Sequence, residues 1–162
     1  MGDLMIINGY ALLGFAPIKD MLTEKVRGGV TSHGLSEAGY DIRIKQNIIF
    51  EKGSVCVDNR RYKGNFTLAS AIEEFQMPDY LVGIVHDKST WARRGLSVFN
   101  TVIEPGWKGF LTLELVYHGR GELHIPAGSG IAQVLFHQTA VSSSYDGKYN
   151  NAGDFPQPAI SG

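Results

Sequence analysis

Between Gly109 and His118 the sequence reads GFLTLELVYH, with apolar side chains at every second position. A strand turns successive side chains to opposite faces. Leu111, Leu113 and Leu115 then share one face, and Phe110, Thr112, Glu114 and Val116 share the other. The leucine face is expected in the core. YDIRIKQNIIF (Tyr40 to Phe50) alternates in the same way, with Ile42 and Ile44 on one side, and predicts a strand. SVCVD, NFTLAS, YLVGIV, LSVFNTVI, GELHIPAG and GIAQVLFHQ predict more strands, separated by glycine or proline. PIKDMLTEKV (Pro17 to Val26) is the best helix candidate. Its proline suits a first helical position, and Ile18, Met21, Leu22 and Val26 fall near one face. The apolar pattern ends at SSSYDGKYNNAGDFPQPAISG, so residues 142–162 are expected to form an extended or mobile tail. Many closely spaced strands favour an all-β sandwich or jelly roll over a parallel sheet.

Composition narrows this picture. A chain of 162 residues is most simply one domain, 1–162. At that size about two-thirds of the unfolded surface can be buried without staples. A net charge of −1 argues against bulk attraction to nucleic acid or an anionic membrane, while allowing a local cationic pocket. The single cysteine, Cys56, cannot close an internal disulfide and fits a reducing cytosol. No apolar run approaches a membrane span, and no secretion signal is evident. A cytoplasmic location is the expectation.

Candidate chemistry is sparse but concentrated. Glu114 faces away from the leucine side, flanked by Thr112 and Val116. It reads either as an exposed strand glutamate or as a carboxylate in a half-apolar cleft. In the cleft, desolvation would raise its pKa and let it move protons near neutral pH. In HDKSTWARRGL (His86 to Leu96), one helical turn would put Ser89 and Arg93 on the same side. They form either a basic surface turn or a hydroxyl and guanidinium facing one ligand. IEPGWKG alone says only "tight turn". YDGKYN gathers two phenols and a lysine. The H-x-E and P-C-x-x-C elements of zinc deaminases are missing, as are a Walker-type loop and a G-x-S-x-G elbow. No catalytic zinc is expected.

Taken in order, SEAGYDIRI, FTLASAIEEFQMPDYLVGIVHDKSTWARRGL, VIEPGWKGFLTLEL, IPAGSGIAQVLF and YDGKYN resemble the consecutive motifs of the dCTP deaminase family, within the dUTPase-like superfamily. The likeness runs from about Ser36 to Asn150. It implies a distorted β jelly roll, to which the sequence adds a short N-terminal helix. It also implies a homotrimer with sites at subunit interfaces, and hydrolysis of dCTP to dUTP with no catalytic metal. Magnesium would accompany the triphosphate. Residues 1–35 form a more loosely matching N-terminal segment, and the tail over 142–162 would close over the nucleotide. By position, Glu114 matches the family's proton-shuttling glutamate, and Ser89 and Arg93 its catalytic serine and arginine. Lys88 and Gln133 match phosphate-contacting positions, and Tyr145 and Lys148 the triphosphate clamp. Trp107 belongs to the substrate-binding set. Asn100 falls near the reacting base, where the family usually has alanine. Glu104 takes the place of the aspartate that binds the sugar 3′-hydroxyl. Val102 and Asn150 also depart from the family pattern.

Two further functions compete with deamination. One is a dUTP pyrophosphatase, cleaving dUTP to a monophosphate and pyrophosphate, alone or after deamination; related two-function enzymes keep the deaminase glutamate, so Glu114 does not exclude it. A catalytically silent nucleotide-binding regulator could use the same trimer.

Overall fold

The computed structural model describes residues 5–162. In chain order its elements are α1 (Gly9–Phe15), β1 (Lys25–Val26), β2 (His33–Leu35), β3 (Tyr40–Arg43), β4 (Ile48–Glu51), β5 (Ser54–Val57), β6 (Arg60–Lys63), β7 (Phe66–Gln76), β8 (Leu81–Asp87), α2 (Ser89–Ala92), β9 (Leu96–Val98), β10 (Val102–Ile103), β11 (Lys108–Tyr117), β12 (Leu123–Ile125) and β13 (Gly130–Gln138). They form three antiparallel sheets, ordered β1-β2-β3-β13-β8-β10, β7-β11-β9 and β12-β4-β5-β6. The inner faces meet in one apolar core that includes Ile42, Phe50, Phe75, Leu113 and Phe136. The result is a distorted jelly roll with a short N-terminal helix. Residues 1–4 of the expected N-terminal segment lie outside the described residues.

The alternation around Glu114 is realised as expected. Leu111, Leu113 and Leu115 are buried, while Phe110, Thr112, Glu114 and Val116 are only partly so. Each buried leucine contributes about 1.5–3 kcal/mol relative to exposure, which anchors β11 in this orientation. A slip of one residue would send Glu114 inward and the leucines out. β11 pairs with β7 over a long ladder with a register shift between Phe110 and Thr112, and Glu114 stands opposite Leu68.

Three expectations need correction. Residues 17–26 are not helical. The helix lies earlier, at Gly9–Phe15, and stops at Ala16, whose φ of 48° is left-handed. The backbone of the expected helix is taken by the end of β7 instead. Lys19 N–H donates to Glu74 O at 2.9 Å, and Gln76 N–H donates to Pro17 O at 2.8 Å. The apolar spacing of Ile18 and Met21 therefore serves an irregular edge against the core.

The segment Tyr40 to Phe50 is two strands rather than one. β3 belongs to the six-stranded sheet and β4 to the four-stranded one. Between them Gln46 bonds Ser70 twice, through Nε2 to Oγ at 2.8 Å and Oε1 from the Ser70 amide at 2.8 Å. The alternation continues across the break because both sheets face the same core. LSVFNTVI likewise divides. β9 pairs with β11, β10 pairs with β8, and Phe99–Thr101 makes the crossing. β6 was missed because Arg60–Lys63 is exposed at every position and has no apolar signal.

Candidate functional site

The outward face of β11 forms one wall of a cavity of about 610 Å³. Glu114 lies in it, beside Leu68 from β7 and Phe110 from its own strand. Glu104, Trp107 and Tyr145 line the same space. The walls are mainly apolar, so the Glu114 carboxyl loses solvent without gaining a charged partner. Its Oε2 is buried with no hydrogen-bond partner. Burial pushes its pKa up from the usual carboxylate value, partly opposed by a hydrogen bond from its own backbone amide. The cleft reading of Glu114 is the one realised.

Trp107 is buried, and its indole N–H donates to Tyr149 O at 2.8 Å. It therefore offers ring surface to the cavity. Asn100 is exposed in the crossing between β9 and β10, next to Thr101 and Val102, which do line the cavity. The pocket geometry thus brings Glu114, Glu104, Trp107 and Tyr145 together and leaves the Asn100 side chain outside.

A second group lies at the end of β8. Ser89 opens α2, and Arg93 follows it with its amide bonded to Ser89 O at 2.9 Å, so the predicted helical turn is present. Trp91 pins this turn into the core, donating its indole N–H to Gly130 O at 2.7 Å. Ser89 and Arg93 are left exposed. Lys88 is half withdrawn and donates to Asp41 Oδ2 at 2.6 Å, and the other oxygen, Oδ1, is buried without a partner. Gln133 donates to Ser36 Oγ at 2.8 Å. None of Lys88, Ser89, Arg93 and Gln133 lines the Glu114 cavity. Within the chain the predicted site is therefore in two parts. Asp41 and Ser36 entered the sequence reading only as letters of SEAGYDIRI.

The tail is seated along β10, β11 and their connection. Tyr145 N–H donates to Pro105 O at 2.8 Å, Asn151 N–H to Lys108 O at 2.8 Å, and Phe110 N–H to Ala152 O at 3.0 Å. Gly109 permits this approach, since with φ at 135° a Cβ there would lie 2.6 Å from the Ala152 nitrogen. Lys148 donates to Ile160 O, and Ile160 N–H donates to the Tyr149 hydroxyl at 3.1 Å. Gln157, Pro158 and Ala159 complete the cavity wall. Backbone bonding rather than apolar periodicity holds this segment, so its pattern gave no signal.

Among the described residues no group of three or more His, Cys, Asp or Glu side chains could hold a metal ion. No described helix is long and apolar enough to cross a membrane.

Residues 17–139 match the family described as dCTP deaminase-like. A dCTP deaminase of Campylobacter curvus is 37% identical over 142 residues, covering 75% of this chain and 75% of the relative. That of Herpetosiphon aurantiacus is 34% identical over 166 residues, covering 88% and 90%. In fold the chain is similar to the native EIAV dUTPase, with a TM-score of 0.53 and 19% identity, covering 83% of this chain and 93% of that one. It is also similar to a mutant dUTPase of Staphylococcus bacteriophage 80alpha, with a TM-score of 0.53 and 14% identity over 91% of this chain and 97% of that one. The motifs from SEAGYDIRI to IPAGSGIAQVLF fall within the matched region, and the chain belongs to the dCTP deaminase-like family.

Proposed function

We propose that the protein hydrolyses dCTP to dUTP and ammonia. The observation that carries this reading is the Glu114 carboxyl, buried in a nucleotide-sized apolar cavity with an unpartnered oxygen and a raised pKa. Such a group can take a proton and return it near neutral pH. The dCTP deaminases that match over most of the chain supply the substrate.

The chemistry balances with one water. Glu114 takes a proton as the water oxygen bonds to C4 of cytosine, and delivers it to N3. The tetrahedral carbon then loses its amino group. That nitrogen leaves as ammonia, carrying the second proton of the water, and C4 becomes a carbonyl. Trp107 packs against the base and sugar, Glu104 accepts from the 3′-hydroxyl, and Tyr145 closes with Lys148 on the triphosphate. Asn100 comes near the reacting edge of the base when the site is assembled. Ser89 orients the water or departing ammonia, and Arg93 holds Glu114 and the ring in register. Lys88, Gln133 and Lys148 contact the triphosphate.

The two halves of this site lie apart within one chain. The homotrimer joins them when α2 of one subunit meets the Glu114 cavity of another. Phe66, Phe99 and Val102 are each about half exposed, and the two phenylalanine rings pack at a tilt with centroids 6.2 Å apart, offering apolar surface for that contact. Magnesium arrives as part of the substrate, bound to the triphosphate. The enzyme works in the cytoplasm.

Incubating the protein with dCTP or dUTP and magnesium tests the reading. Ammonia and dUTP are expected from dCTP. Pyrophosphate and a monophosphate would mark the phosphohydrolase, and binding without turnover the regulator. Glu114→Gln, nearly isosteric and unable to relay a proton, is expected to lower deamination by roughly 10²–10⁴-fold while nucleotide binding stays close to that of the parent.

A further inference from the structure

We infer that Thr112 is a positioning residue, whose hydroxyl latches the tail at Gln157 over the cavity and so keeps bulk solvent from the Glu114 carboxyl. This rests on the role given to Glu114 above and names a residue and a tail segment to which that role gave no part.

The latch is a single hydrogen bond in an unusual sequence context. Gln157 N–H donates to Thr112 Oγ1 at 2.9 Å. Gln157 stands between Pro156 and Pro158, and proline has no N–H. The Gln157 amide is therefore the one backbone donor in that run. The flanking prolines also restrict the unbound chain, which lowers the entropy lost on seating it. On β11, Thr112 is two residues from Glu114 on the same face, about 7 Å away along the strand. A tail held at Thr112 is thus held beside the carboxyl. Gln157, Pro158 and Ala159 wall the cavity, and the Tyr149 hydroxyl fixes the next turn of chain by accepting from Ile160 N–H at 3.1 Å.

The surroundings explain why this wall matters. The titratable groups that face Glu114 across the cavity are Glu104, Tyr145 and Tyr149, and no cation lines it among the described residues. Leu68 and Phe110 supply apolar walls. Within the chain no positive charge holds the carboxylate, so exclusion of bulk solvent contributes to its proton affinity, and the tail provides one side of that exclusion. Opening the tail would rehydrate Glu114 and make it a weaker base.

The test uses the full chain. Thr112→Val keeps the shape and removes the acceptor. It is expected to speed hydrogen exchange at the Gln157 amide by about 2- to 10-fold, the equilibrium factor of one ordinary hydrogen bond. The Glu114 titration, followed by carboxyl infrared or carbon NMR, should move down toward the ordinary carboxylate range, and the acid limb of kcat/KM should move with it. Thr112→Ser restores both. Gln157→Pro, which removes the donor instead, reproduces the Glu114 shift. The direction is diagnostic. A valine acting only through local polarity would leave the carboxyl drier and raise its pKa. A Glu114 titration that is unchanged or raised in Thr112→Val, or unchanged in Gln157→Pro, overturns the latch. Failure of the parent to turn over dCTP would instead remove the functional reading, while exchange and titration still decide the latch.

Discussion

A carboxyl group buried without a partner lowers the stability of the chain that carries it, and Glu114 makes that cost measurable. Its pKa in the folded chain lies above the ordinary carboxylate value because of burial. Between those two values the unfolded chain has released its proton and the folded chain still holds one. Stability contributed by the neutral group is therefore full below the ordinary value and is lost as pH rises through the raised one. Glu114→Gln removes this titration. The variant is expected to melt above the parent at neutral pH, with the difference shrinking as pH falls from the raised value toward the ordinary one and levelling off below it. Thermal unfolding of both across that range checks it, and a constant difference would contradict it. The position of Glu114 was legible because alternation assigns a face. Its burial was not, since the covering residues Leu68, Tyr145 and Gln157 are remote in sequence. The partners of Lys88 and Gln133 were hidden for the same reason. Asp41 and Ser36 reach them across sheet pairings that one strand's pattern does not contain.

At the scale of elements, β8, β11 and β13 were read almost to the residue. Their long alternation reflects one buried face against one core. Elements failed where the chain changes sheets or where main-chain bonding replaces side-chain packing. Lys45–Asn47 and Phe99–Thr101 are crossings that preserve the apolar rhythm while ending a strand. Pro17–Val26 carries helical spacing, yet the free edge of β7 claims its backbone. The tail is the clearest example of main-chain control. Removing residues 142–162 deletes no named strand, so the shortened chain is expected to fold and assemble. It also takes away Tyr145, Lys148 and one cavity wall. Affinity for dCTP should fall by about 10- to 150-fold, the range of one hydrogen bond to a charged group. Isothermal titration of the truncated protein gives the answer, and unchanged affinity would rule out the clamp.

For the whole molecule, the separation of the Glu114 cavity from the α2 turn is the reason for proposing a trimer. A subunit alone presents Ser89 and Arg93 to solvent and leaves Phe66, Phe99 and Val102 half covered. Sedimentation is expected to give a trimer at enzyme concentrations where activity is full. Dilution that separates the subunits should abolish turnover while each jelly roll stays folded, and a fully active monomer would refute the shared site. The all-β architecture was legible because strand spacing and glycine-rich turns belong to local sequence. The proposed trimer would lie in surfaces whose pattern is local but whose partner is another copy.

The ion pair between Lys88 and Asp41 has a consequence for the speed of capture. If Lys88 contacts the triphosphate as proposed, an approaching nucleotide would meet an ammonium already neutralised at 2.6 Å by a buried carboxylate, on a chain of net charge −1. Long-range attraction is therefore weak, and the cation becomes available to phosphate only at contact. The association rate constant of Mg–dCTP, measured by stopped flow, should change little between low and physiological ionic strength. In Asp41→Asn the uncovered ammonium should steer the nucleotide from a distance, giving faster association that salt suppresses over a Debye length of about 8–10 Å.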